Sequence, residues 1–165
     1  MENKERIGKI SFVAIIIVSL CVLMDQISKM YIVNHVGLYE KIQVIPGFFD
    51  ITYLENTGAG FSIFEGYGKF FFGALTLIAL GVMVYWFFQN KDTMFRILLA
   101  FIAGGAIGNL IDRMCLGYVR DFLSFNIFGW AFPVFNIADI CISVGFVCLL
   151  LYIVIDEYQE SKKWK

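Results

Sequence analysis

Val134 to Ile155 is an apolar run long enough to cross a bilayer, and Asp139 stands six residues into it. A charge at the middle of a membrane helix costs roughly 3 kcal/mol or more. A chain keeps such a group where it has a partner or a chemical task. Three more aspartates, Asp25, Asp112 and Asp121, lie in or beside the other apolar runs. The fold must therefore enclose its backbone polar groups within helices and bring the buried carboxylates to partners that satisfy them.

Of the 165 residues, 59% are hydrophobic, and the mean hydropathy is +0.75. These values lie well above those of a soluble domain. The length suits one domain over 1–165. A net charge of −1 argues against nucleic acid as a partner. Four spans of about 20 residues each are expected at about 7–33, 69–89, 94–114 and 134–156. The segments 34–68 and 115–133 lie outside them. Eight lysines and arginines, Lys4 through Lys9, Lys91, Arg96 and those from Lys162 on, fall on one side, and five fall on the other. The richer side is expected to be cytoplasmic, with both termini.

The fold class is a mostly α membrane protein: four transmembrane helices, a small β-rich extracytoplasmic cradle and a short amphipathic surface helix. The cradle is expected in Lys41–Leu54, rich in Ile, Val, Phe and Tyr with a Pro46-Gly47 turn. The surface helix is expected around Phe61–Phe64. The N-terminus, with basic residues before an apolar run and Val18-Ser19-Leu20-Cys21, has the outline of a lipoprotein leader. Leu20 is too large for the position before a lipidated cysteine, so the segment is taken as a retained helix.

Cys21, Cys115, Cys141 and Cys148 form no C-x-x-C pair, and the single histidine, His35, lies far from them in sequence. Neither a metal nor a cofactor is expected.

Asp25 and Lys29 are four apart and can pair on one helix face. Lys29 could also reach a substrate carbonyl or a lipid head group. Gly104 and Gly108 form a small-x-x-x-small pair suited to close helix packing. Asn109, Asp112 and Arg113 share a face on the same run. Asn136 and Asp139 share a face of the fourth. Asp121 follows Arg120, and sequence neighbours usually point apart. Asp121 and Asp139 therefore have the least local compensation. Two such carboxyls facing each other cannot both ionise easily, which is the electrostatic requirement for an aspartic hydrolase. No serine elbow, Cys/His pair, H-E-x-x-H or phosphate loop competes.

The chain resembles the lipoprotein signal peptidases (signal peptidase II), the bacterial membrane aspartic proteases. The resemblance runs through Asp25-Gln26-Ile27-Ser28-Lys29, Asn56-Thr57-Gly58-Ala59-Gly60-Phe61-Ser62 and Gly104 to Arg113. It continues through Val119-Arg120-Asp121-Phe122 and Phe135-Asn136-Ile137-Ala138-Asp139. Gly60 stands where the family usually has a second alanine. The resemblance implies a catalytic pair, Asp121 and Asp139, and a site lined or supported by Asp25, Lys29, Asn56, Gly58, Asn109, Asp112, Arg113 and Asn136. The substrate it implies is a prolipoprotein carrying diacylglyceryl-cysteine, cut just before that cysteine. It further implies lateral entry from membrane lipid, the Asn56–Phe64 piece as a movable cover, and a monomer in the bacterial cell membrane with its active site near the outer face. Two other classes remain open on the residues alone. A proton-coupled carrier would also bury Asp, Lys and Arg, but here they gather at one membrane face and Phe70–Phe88 has no charge. An assembly factor would use the polar girdle structurally.

Overall fold

The structure, a computed structural model, describes residues 2–58 and 68–163. The Phe61–Phe64 piece, Gly60 and most of the expected cover lie outside the described residues. Four helices carry the chain: α1 (Glu2–His35), α2 (Gly68–Gln89), α3 (Thr93–Cys115) and α4 (Ile137–Lys163). Each contains a segment long and apolar enough to cross a membrane. Between α1 and α2 come β1 (Lys41–Ile45) and β2 (Phe49–Asn56). Between α3 and α4 come β3 (Val119–Ile127) and β4 (Trp130–Ala131). The four strands form one antiparallel sheet in the order β1-β2-β3-β4.

Helix α3 is the centre of the bundle and packs against each of the other three. Its glycines let two neighbours approach on adjacent faces. A Cβ on Gly104 would lie 2.6 Å from Cys21 Cβ of α1, and one on Gly105 would collide with the Ala138 carbonyl of α4. Gly108 does more than admit a helix. Its missing side chain leaves the space taken by the Asp25 carboxyl, whose Oδ2 would lie 2.6 Å from an added Cβ. Large apolar residues on the outward faces of α1, α2 and α4, such as Phe12, Phe70, Leu77 and Val154, are more than half exposed. They are the surfaces that lipid covers.

The second half of the sheet lies in a stretch the sequence reading left without structure. Only Leu123 to Ile127 of β3 alternates apolar and polar residues in the strand manner, and Phe128 (φ 52°) with Gly129 (φ 85°) makes the tight turn into β4. Helix α4 starts at Ile137, three residues later than the expected span. The reason is that the chain before it is extended and tied to β3. Phe135 N–H donates to Leu123 O at 3.1 Å, and its own carbonyl accepts from Phe122 and Leu123. Rings stack along this seam, with Phe49 and Phe125 centroids 4.6 Å apart. Below the sheet, Ile32, Val36, Tyr53 and Phe122 form a buried cluster that locks the end of α1 to the strands. β3 and the start of α4 are thus held side by side, and each carries one aspartate.

Candidate active site

Two polar layers meet where the sheet caps the helices. The deeper layer is built on Asp25 and Lys29 of α1, Asp112 of α3 and Arg120 of β3. Asp25, Lys29 and Asp112 are fully buried. Lys29 Nζ lies 2.8 Å from Asp25 Oδ2 and 3.3 Å from Asp112 Oδ2. It also donates to Asn109 Oδ1 at 3.0 Å. Fully buried, with two hydrogen bonds and an ion pair to Asp112, Lys29 forms the ion pair read from its spacing. Arg120 closes the layer. It donates from Nη2 to Asp112 Oδ1 at 2.6 Å and from both Nε and its backbone N–H to Asp112 Oδ2. Gln26 bridges Asp25, Asp112 and the Gly108 carbonyl.

Sequence reasoning missed Gln26 and the role of Arg120. The signal for Arg120 was available: adjacent strand residues point to opposite faces, so Arg120 goes down to Asp112 while Asp121 goes the other way.

The upper layer holds Asp121 and Asp139. Neither forms an ion pair with a described residue. Their partners are three asparagines, each turned by a second contact so that its N–H points at a carboxyl. Asn56 Oδ1 accepts from the Gly58 N–H at 2.9 Å, so Nδ2 faces Asp121 Oδ2 at 2.8 Å. Asn109 Oδ1 must face the all-donor Lys29, so Nδ2 reaches Asp139 Oδ1 at 2.8 Å. Asn136 Oδ1 accepts from the Asp139 N–H at 3.0 Å, so Nδ2 reaches Asp121 Oδ1 at 2.6 Å and Asn109 Oδ1 at 3.2 Å.

Asn136 and Asp139 also form a reciprocal cap on α4. The Asn136 N–H donates to Asp139 Oδ2 at 3.1 Å, while the Asn136 side chain holds the Asp139 N–H. The three-residue spacing, read from sequence as a shared helix face, is this cap. A further orphan amide of the first turn, Ala138 N–H, donates to Asp25 Oδ1 at 2.9 Å. The start of α4 is thus joined to both layers.

Asp121, on β3 and 3% exposed, holds its proton far above the usual carboxylate range. Burial, followed by the charge of Asp139, pushes its pKa up to about 7. The asparagine amides act in the opposite direction without cancelling this. Both aspartates open onto a cleft of about 410 Å³ that Asn56, Asn109 and Arg113 also line. Its other walls are apolar, including Phe132, Pro133 and Val144. Arg113 donates to the Gly58 carbonyl at 3.2 Å, with its guanidinium 5.2 Å over the Phe72 ring. The predicted site residues therefore fall into two groups. Asn56, Gly58, Asn109, Arg113, Asp121, Asn136 and Asp139 surround or adjoin the cleft, while Asp25, Lys29 and Asp112 lie beneath it. Among the described residues, no cluster of three His, Cys, Asp or Glu side chains is arranged to hold a metal ion.

A family model described as signal peptidase (SPase) II matches residues 17–155. The lipoprotein signal peptidase of Syntrophus aciditrophicus is 41% identical over 155 residues, covering 90% of this chain and 94% of the relative. That of Symbiobacterium thermophilum is 38% identical over 146 residues, covering 87% and 95%. Among solved structures, a bacterial membrane enzyme determined by the in meso method at 2.3 Å resolution superposes with a TM-score of 0.82. It has 34% identity, covering 88% of this chain and 89% of that one. A second, at 1.9 Å resolution, gives a TM-score of 0.77 at the same identity, covering 86% and 92%.

Proposed function

The chain belongs to the signal peptidase II family, and from that premise we propose that it is an aspartic endopeptidase whose catalytic pair is Asp121 and Asp139. Membership makes it a multi-pass membrane peptidase that removes signal peptides from prolipoproteins. The finer reading rests on one observation: two carboxyls without an ion-pair partner among the described residues, linked by oriented amides, open onto the same cleft.

In this mechanism the pair shares one proton. At rest Asp121 holds it, because burial and the neighbouring Asp139 charge raise its affinity. A water between the carboxyls loses a proton to the Asp139 carboxylate and attacks the scissile carbonyl carbon. Asp121 gives its proton to the carbonyl oxygen. When the tetrahedral intermediate collapses and the C–N bond breaks, the Asp121 carboxylate takes back a proton from one of its hydroxyls, and the proton gained by Asp139 passes to the departing amine of the cysteine. Asn56, Asn109 and Asn136 keep both carboxyls in register through the cycle. Arg113, already donating to a backbone carbonyl at Gly58, is suited to hold the carbonyls of an extended substrate.

The substrate in this reading carries diacylglyceryl on its cysteine, and the cut falls just before that residue. The acyl chains stay in lipid while the scissile bond enters the cleft. The lysine and arginine bias puts both termini in the cytoplasm and the sheet, with the cleft, near the outer face. The described residues that line the cleft all come from one chain, which supports a monomer. No metal or cofactor takes part.

The test is cleavage of a diacylglyceryl-modified prolipoprotein by purified protein in detergent, with Asp121→Asn and Asp139→Asn alongside. The parent is expected to cut before the lipidated cysteine. Each variant should fold and lose at least about 10³-fold in kcat, the scale set by removal of an acid–base group. Parental turnover by either variant would overturn the assignment.

A further inference from the structure

Asp121 stands between two neighbours on β3 that are anchored beneath it by different means. Phe122 enters the apolar cluster with Ile32, Val36 and Tyr53. Arg120 enters the deeper polar layer. Their peptide groups follow the same division. Alternate N–H groups of a strand leave by the same edge, so those of Arg120 and Phe122 point away from β2 together. β4 does not reach this level, since it pairs only with Asn126 and Ile127. Phe122 N–H donates instead to the Phe135 carbonyl at 3.0 Å. Arg120 N–H donates to Asp112 Oδ2, also at 3.0 Å. A carboxylate of α3 thus stands where the carbonyl of a further strand would be.

Asn109 and Asp112 are three apart on α3, neighbours on one face. Asn109 Nδ2 holds Asp139 Oδ1 at 2.8 Å. Asp112 holds Arg120 by its peptide N–H and by two prongs of the guanidinium, Nη2 to Oδ1 at 2.6 Å and Nε to Oδ2 at 3.1 Å. Such a fork fixes direction as well as distance. Arg120 Nη2 also donates to Gln26 Oε1 at 2.9 Å, while Gln26 Nε2 is held by Asp112 Oδ1 and the Gly108 carbonyl, each at 3.1 Å. Asp112 is fully buried and the Arg120 side chain is 12% exposed, so water has little access to loosen the contact. One turn of α3 therefore reaches both aspartates of the cleft, Asp139 directly and Asp121 through its neighbour.

We propose that Arg120 is a positioning residue for the peptidase reaction: clamped to Asp112, it sets how far Asp121 stands from Asp139. The inference rests on the catalytic pair proposed above and adds what holds that pair at its working separation. Two carboxyls can share a proton and grip one water only over a narrow range of distances. Pairing with β2 alone leaves that range loosely defined, because the register shifts between Ile51 and Leu54, beside Asp121. The bond to α3 supplies the fixed reference. A guanidinium suits the task, since its charge persists at every working pH and its donors are rigidly arranged. The Arg120–Asp112 pair is therefore used twice. It neutralises a buried carboxylate, and it ties the strand that carries one aspartate to the helix that receives the other.

The test measures kcat, KM and the pH dependence of kcat/KM on a diacylglyceryl-modified prolipoprotein, with the full-length enzyme in detergent. Arg120→Lys keeps the charge and loses the fork. Asp112→Asn combined with Arg120→Gln removes the clamp without leaving a buried charge unpaired. The double variant should lose about 100-fold in kcat, the scale of a misplacement of about 1 Å, with KM unchanged. Arg120→Lys should lose about tenfold, the lesser share of the same effect. The charges around Asp121 are Asp139 on α4, Arg113 on α3 and Lys29 on α1, and neither variant alters them. A wider gap weakens the push of the Asp139 charge on Asp121, so kcat/KM should begin to fall at a lower pH than in the parent, where the fall comes near 7. A clamp that only supported the fold would lower the melting temperature and leave kcat and the pH profile parental. That outcome in either variant overturns the positioning role while the peptidase reading stands. If the parent does not cut the lipidated substrate, the peptidase reading fails and the positioning role falls with it.

Discussion

Two pairs of aspartates lie within one polar core, and they are compensated in opposite ways. Asp25 and Asp112 are matched by Lys29 and Arg120, two acids to two bases, with every contact at hydrogen-bond or ion-pair distance. Among the described residues, Asp121 and Asp139 accept hydrogen bonds from neutral amides and form no ion pair. A matched set has no reason to exchange protons, whereas an unmatched pair is left able to hold one proton between them. Burial alone therefore does not set apart the pair proposed to be catalytic, since the matched pair is the more deeply buried. What distinguishes them is whether cations or amides complete the shell.

The sharpest way to break this contrast is Lys29→Met. It leaves Asp25 and Asp112 short of a charge in a fully buried place and is expected to destabilise the protein by about 3–5 kcal/mol. Thermal unfolding in detergent would measure it. Asp121→Asn, by comparison, should cost no stability at neutral pH. A parental melting temperature for Lys29→Met would mean that the deeper layer is not held by charge matching.

A smaller effect is expected from Asn136→Ala, which removes the helix cap and the amide on Asp121 together. A lost cap costs about 1 kcal/mol. The accompanying fall in kcat should be larger than that stability change accounts for, because both carboxyls lose a partner. A loss of stability with unchanged kcat would reduce Asn136 to a cap alone.

The mildest probe is pH. The Asp121 pKa rises in the fold from 3.8 to about 7, so its proton-bound form is the favoured one. The stability this group contributes is fully present below about pH 4 and is lost as pH rises through 7. Asp121→Asn lacks that dependence, so its melting temperature should gain on the parent's between pH 5 and 8. In the parent, kcat/KM should fall above about pH 7 as Asp121 gives up its proton, approaching tenfold per unit. A flat profile through pH 8 would remove Asp121 as the proton holder.

Much of the architecture was legible in the chain. The four apolar runs and the Pro46-Gly47 hairpin are local patterns, and local patterns survive folding. The isolation of Asp121 and Asp139 was legible for a related reason: no base stands at helical pairing distance from either. The β3–β4 half of the sheet was not, because Phe122 to Phe135 is apolar enough to blur its alternation. The role of the Asn136–Asp139 spacing depended on where α4 begins, and that is decided by the pairing of Phe135 with Leu123, a tertiary event. The Asp25–Lys29 pair was legible from its spacing, whereas the bond from Lys29 to Asn109 was not, because Asn109 is 80 residues away. Gly108 was read as a packing residue, and only the position of Asp25 reveals that its missing side chain houses a carboxyl.

The charge matching of the deeper layer also bears on how the chain is made. A ribosome delivers these helices one at a time, and Asp112 is made before Arg120. Asp25 leaves with Lys29 one turn behind it, already able to pair. Asp112 is followed at once by Arg113, and α2 brings no charge between Phe70 and Phe88. Up to that point each carboxylate near the sheet end of a helix is handed to the membrane with a base of its own nearby. Asp139 has none, and it arrives last, when the amides and the lysine that receive its helix are already in place.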